Sequence, residues 1–196
     1  MSNIIVAASA SGAGTMTVQA PVTSSNRVLT LEDANGTLSP SVLSTAQTAS
    51  GTSVNFTGIP TWVKRITMNV TDLSYAAAGG GILRIGSGSL VSTGYVWTQQ
   101  TASNNAVTFV SSENPGTHFG NFTTNSAAGV LFGSFTLTLI NAATNTWMSV
   151  GTVSRITDNL VQSQIGYVSL SGALNQVSIV ATISTFDAGI VNILYE

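Results

Sequence analysis

Along almost the whole chain, apolar residues alternate with threonine, serine or asparagine, a period of two that suits strands with one buried face and leaves little room for helix. In Arg65-Ile66-Thr67-Met68-Asn69-Val70-Thr71 the even positions turn to a core and the odd ones to solvent, because successive strand side chains point to opposite faces. From Phe132 to Ile140 the parity is the other one. Phe135, Leu137 and Leu139 share one face, and Ser134, Thr136, Thr138 and Ile140 the other. Further strands are expected at 52–56, 82–85, 94–98, 106–110, 118–122, 146–156, 165–170, 176–184 and 189–195. Turn-forming stretches separate them: Ala78-Gly79-Gly80-Gly81, Ser87-Gly88, Ser103-Asn104-Asn105, Glu113-Asn114-Pro115-Gly116 and 141–145. The pattern predicts an all-β fold, an antiparallel two-sheet β-sandwich that is jelly-roll-like, rather than a βαβ fold with crossover helices.

The polar half of the alternation is uncharged. Lys plus Arg number 5 and Asp plus Glu 7 in 196 residues, 6% of the chain, against roughly 25% in ordinary globular domains. Polarity comes instead from 26 serines, 27 threonines and 15 asparagines. A net charge of −2 provides no basic surface to displace counterions from a phosphate backbone, which argues against a nucleic-acid partner. Residues 85–112 and 159–186 carry no charge at all, so whole strands are uncharged on both faces. One face belongs to the core. The other is either a hydroxyl-rich solvent surface or an interface with sister chains, where an unpaired buried charge would be costly. Apolar runs are broken every second residue, so no membrane-spanning helix fits and no membrane insertion is expected. The short apolar run Ile4 to Ala8 has no basic residue before Arg27, so it lacks the basic region of a secretory signal and reads as mature protein. With no cysteine, disulfides, thiolate metal sites and cysteine nucleophiles are excluded.

The first 45 residues differ from the rest. Residues 15–21 and 27–31 are two short strand-like pieces followed by a turn at 33–36, and two strands cannot bury a core by themselves. Such a segment becomes ordered by docking on its own sandwich, on sister chains or on a larger particle. The expected division is therefore 1–45, an attachment or intertwining segment, and 46–196, the β-sandwich, with 39–52 as the link.

Two stretches carry a resemblance. "TMTVQAPVTSSNRVLTLEDANGTL" at 15–38 resembles a short module of bacteriophage tail fibres and related virion proteins. "TASGTSVNFTGIPTWVKRITMNV" at 48–70, "GSGSLVSTGYVW" at 86–97, "NTWMSVGTVS" at 145–154 and "LSGALNQVSIV" with "TFDAGIVNILYE" in 170–196 are similar, in that order, to the C-terminal domain of phage and prophage tail-fibre-like proteins. The resemblance implies a virion structural protein of fibre or spike type, homotrimeric, joined to other virion proteins through 1–45 and contacting host surface polysaccharide through the sandwich. The alternative is a capsid decoration, neck or baseplate connector protein without host contact. Neither implies an enzyme, a catalytic residue or a cofactor.

His118 is the sole histidine, so a histidine-rich metal site is excluded, and no nucleophile elbow accompanies it. It reads as a surface or strand-end residue. Seven acids are present, and Asp72, Asp158 and Asp187 are the set that convergence on one rim would make a candidate carboxylate site, against their usual role in turns. Gly79-Gly80-Gly81 and Gly86-Ser87-Gly88 neither open a helix nor carry lysine, so they are turns and a bulge rather than phosphate loops. Among the aromatics, Phe56, Trp62, Phe135, Trp147 and Phe186 are placed in the core. Tyr75, Tyr95 and Trp97 follow or border glycine-rich turns and are candidates, with His118, for receptor binding on an exposed rim; plain packing is the competing reading.

Overall fold

The computed structural model describes residues 40–103 and 106–196. The strand-like pieces and the turn expected before residue 39 lie outside the described residues, as do Asn104 and Asn105 of the expected 103–105 turn. The chain divides into two units, 1–37 and 38–196, and the sandwich belongs to the second.

In chain order its strands begin with Val42–Leu43 (β1), Gln47–Thr48 (β2), Ser53–Thr57 (β3), Arg65–Tyr75 (β4), Gly79–Ser87 (β5), Ser89–Leu90 (β6) and Tyr95–Ser103 (β7). They continue with Ala106–Gly116 (β8), Phe119–Thr124 (β9), Leu131–Asn141 (β10), Thr146–Arg155 (β11), Leu160–Ser169 (β12), Gln176–Ala181 (β13) and Phe186–Tyr195 (β14). All pairings are antiparallel. One sheet contains β1 and β2 on β14, then β4 and β10; the other runs β3, β13, β5, with β9 and the short β6 both on β5. With β1 and β2 taken as one edge and the short β6 as an appendage of β5, successive strands of this frame switch sheets, except that β5 and β9 are neighbours in one sheet. That nested order, first strand against last and second against last but one, is the jelly roll. Within the described residues, each strand expected from the alternation has a counterpart. Val42–Leu43 and Gln47–Thr48, expected in the N-terminal segment and its link, are instead the sandwich's own edge on β14. No helix among the described residues is long and apolar enough to cross a membrane.

Two hairpins are inserted into this frame. One, β7–β8, lies between β5 and β9; the other, β11–β12, lies between β10 and β13 and turns through a short 3₁₀ segment, Ile156–Asp158, that closes at Asn159 with φ 52°, a left-handed conformation asparagine accepts readily. Both add to the same sheet, in the order β10, β11, β12, β7, β8. They form a wing that extends the first sheet well past the second.

The core lies between the sheets, and alternation places it. Ile66, Met68 and Val70 of β4, Phe135 and Leu137 of β10, and Val191 and Ile193 of β14 face Val54, Phe56, Leu83, Ile85, Val177 and Ile179 of the other sheet. Parity breaks once within β4. Asp72 takes a left-handed φ of 52° and forms a bulge, so that Val70 opposes Gly133 while Leu73 opposes Leu131. The extra residue turns the odd positions inward from there on, and Leu73 and Tyr75 are fully buried.

Three further expectations are corrected. Gly79-Gly80-Gly81 is no turn but the start of β5. A Cβ on Gly81 would meet the Phe122 ring at 2.2 Å and Tyr75 Oη at 2.5 Å, so glycine is there to let two aromatics close over the strand. Glu113-Asn114-Pro115-Gly116 is the last stretch of β8, which keeps pairing with β7 across an irregularity between Tyr95 and Trp97. Trp62 is 37% exposed rather than inward, because it sits in the connection between β3 and β4, beyond the reach of strand alternation, with its ring 5.9 Å from that of Tyr195.

Candidate functional site

The four residues expected on an exposed rim are all buried. Tyr75 and Tyr95 are 0% exposed, Trp97 3% and His118 8%. Tyr75 follows the shifted parity of β4 and stacks on Phe186 with ring centroids 5.1 Å apart; its hydroxyl donates to the Phe122 carbonyl at 3.4 Å. Tyr95 and Trp97 lie two apart on β7, on the face that also carries Gln99 and Thr101, and that face turns inward. Burial pushes the Tyr95 phenol up to about 12, offset in part by the Ile85 backbone and Arg84. The neutral hydroxyl accepts from the Ile85 N–H and has the carbonyls of Ile85 and Val91, each at 3.3 Å, as acceptors for its one proton. Its ring meets Phe119 edge-on at 4.8 Å.

His118, just before β9, lies against Trp97 with centroids 5.5 Å apart and planes inclined by 33°. Burial lowers its pKa; Glu113 acts in the opposite direction and Arg84 in the same one. Among the described residues, the buried Nδ1 of His118 and Nε1 of Trp97 make no hydrogen bond. The arrangement is a packed, neutral pair and offers a ligand no exposed face.

Of the three acids expected to converge, Asp72 and Asp187 are exposed on the neighbouring strands β4 and β14. Asp72 makes the bulge, and Asp187 accepts a hydrogen bond from the Ser74 hydroxyl. The Asp158 side chain lies outside the described residues. Among those described, no three His, Asp or Glu side chains cluster as a metal site would require.

The accessible chemistry lies elsewhere, on the outer face of the wing. Register sets Met148 of β11, Tyr167 of β12 and Val96 of β7 side by side, and next to them Val150, Ile165 and Thr98. Tyr167 and Ile165 are each 48% exposed and Val150 45%. Two hollows, of about 400 and 320 Å³, share Thr98 and Ile165 and form one groove. The first is walled by Val96, Met148, Ile165 and Tyr167 and closed at the β8 end by Ser112, Glu113 and Asn114. Hydroxyls and an amide line the second, from Thr98, Gln100, Thr152 and Ser163, with Thr152 and Ser163 hydrogen-bonded at 3.0 Å. On β10, β11, β12 and β7 no outward-facing side chain is charged; Glu113 pairs with the inward-facing Trp97, so its carboxylate lies on the inner side with Trp97 and His118, and the groove is uncharged. An aromatic ring with aliphatic walls accommodates the C–H face of a sugar, and amides and hydroxyls donate to and accept from its hydroxyl groups.

Sequence reasoning missed Tyr167. Its strand carries apolar residues of both parities, Ile165 and Tyr167 on one face and Val168 with Leu170 on the other, so alternation gives no sign of which set is inside. The signal that decides is the neighbouring strand. Trp147 and Val153 of β11 face inward, and register then sends Tyr167 outward beside Met148.

On the wing's inner side the layer is polar. Gln99 Oε1 accepts from the Asn121 N–H at 2.7 Å and Gln162 Oε1 from the Thr123 N–H at 2.9 Å, while Arg155 Nη1 donates to the Thr123 carbonyl at 2.8 Å. Side chains of one sheet thus satisfy the outer backbone edge of β9, the end strand of the other, which blocks pairing with a foreign strand there.

Compared with protein-family models, curated proteins and solved structures, the chain matches none.

Proposed function

We propose that this chain is a bacteriophage virion structural protein of fibre or spike type, assembled as a homotrimer, that recognises a neutral host-surface glycan through the outer groove of the wing. The observation that carries the recognition is Tyr167, half-exposed in an uncharged groove that ends at Ser112 and Asn114. The wing is built from insertions into a complete jelly-roll frame, the position where functional loops are ordinarily grafted on a rigid scaffold. The phage-fibre resemblance of 48–70, 86–97, 145–154 and 170–196 supports the virion assignment, and residues 1–45 take the attachment role in this reading.

The test is binding of the full chain to purified bacterial surface polysaccharides. Wild-type protein binds at least one of them, and Tyr167→Ala loses most of that binding while keeping its thermal unfolding temperature. Retention of full affinity by the variant, or absence of binding to every polysaccharide, counts against the reading.

A second reading, a decoration, neck or baseplate protein without host contact, is favoured by the uncharged outer face of β10, β11 and β12, which another virion subunit covers without burying charge. The two part in an adsorption competition. A receptor-binding protein blocks attachment of the phage that carries it, and a connector does not.

A further inference from the structure

Under the wing, between β9 and the inward faces of β7, β11 and β12, lies a cleft of about 550 Å³ lined by Gln99, Thr101, Thr123, Arg155 and Gln162 among others. We propose that this cleft is a second ligand site, separate from the outer groove, that takes a neutral hydroxyl-rich ligand of the size of one or two sugar residues. The volume falls within the range of small-molecule sites.

Its polar lining is fixed in orientation by chemistry rather than by choice of rotamer. A backbone N–H can only donate, so the amide atoms that meet the N–H groups of Asn121 and Thr123 are the oxygens of Gln99 and Gln162. With each Oε1 held, each Nε2 is turned the other way as a preorganised donor beside the cleft. Asn121 and Thr123 are two residues apart on one strand, which sets the two amides about 7 Å apart. That spacing suits hydroxyl groups at opposite ends of one sugar ring or on adjoining rings.

The other lining groups suit the same chemistry. Thr123 and Thr182 also line the cleft, and the Thr182 hydroxyl, which donates to the Gly80 carbonyl, keeps its oxygen as an acceptor. Arg155, 5% exposed, is engaged with the Thr123 carbonyl and braces the floor of the cleft. Ile183, 78% exposed, and Leu160 also line the cleft and give apolar surface for sugar C–H groups. Gln99 and Gln162 are 5% and 7% exposed, so packing holds both amides in place at the cleft.

The experiment is an NMR titration of the full ¹⁵N-labelled chain with glucose, galactose, N-acetylglucosamine and maltose, following the side-chain amide resonances of Gln99 and Gln162. At least one of these sugars is expected to shift both amides saturably. Asn125→Trp, a substitution at an exposed cleft-lining position, fills the cleft and weakens that sugar by about tenfold or more, and Gln162→Met removes one of the two donors and weakens it as well. Tyr167→Ala leaves the cleft shifts intact, so failure of the groove and failure of the cleft are told apart. The proposal is overturned if none of the four sugars moves either amide saturably, or if Asn125→Trp leaves the affinity unchanged.

Discussion

Gly81 stands where two aromatic side chains close over β5, and the missing Cβ is what lets them. Gly81→Ala is expected to lower stability by about 1–3 kcal/mol, the usual cost of forcing an extra methyl into a filled core, measured by chemical denaturation. His118 makes the chain sensitive to pH. Its folded pKa lies below the ordinary value because burial disfavours the charged ring. Above the unfolded value of about 6.5 the ring is neutral in both states and costs nothing. As pH falls below that value the unfolded chain takes up the proton first, so stability declines until the folded pKa is reached. His118→Gln removes this ionisation, and its stability is expected to fall less than that of the wild type as pH is lowered from neutrality through the acid side of pH 6.5. Equal slopes for the two proteins would show that another group carries the dependence. At this scale the sequence was least informative: Tyr75, Tyr95, Trp97 and His118 border glycines that look like turns, and their burial depends on a bulge and on a wing that one strand's own residues do not announce.

Strands were more legible than side chains, because alternation with a period of two survives wherever one face is buried. Gly79 to Gly81 and Glu113 to Gly116 escaped it, since glycine and proline are ordinary turn formers and only their neighbours in the fold, Phe122 of the same sheet and Tyr75 of the facing one in the first case and β7 in the second, explain their place in strands. The bulge in β4 is the element on which the inner face of the sheet depends. At φ 52° a β-branched residue is strained and glycine is not. Asp72→Val is therefore expected to cost about 1–3 kcal/mol, whereas Asp72→Gly leaves the midpoint of thermal unfolding close to that of wild type. If the two substitutions behave alike, backbone conformation at the bulge is not what Asp72 supplies.

For the whole molecule, nested strand order makes a jelly roll, and two inserted hairpins make the wing that carries both the groove and the cleft. The class of fold follows from texture and strand count. The wing does not, because β7 and β8 are far in sequence from β11 and β12, and only the pairing of β12 with β7 brings them into one sheet. The scarcity of charge, 12 charged side chains in 196 residues, here becomes an uncharged outer face across β10, β11, β12 and β7. Assembly of the full chain follows from the proposed fibre role: light scattering at micromolar concentration is expected to give three times the 20.1 kDa chain mass, and a monomer alone would contradict it. Recognition is tested most directly by comparing wild type and Tyr167→Ala for binding to a panel of purified bacterial surface polysaccharides. The account predicts that wild type binds at least one and that the variant is weaker by about tenfold or more; equal binding by both proteins, or none by either, would contradict it.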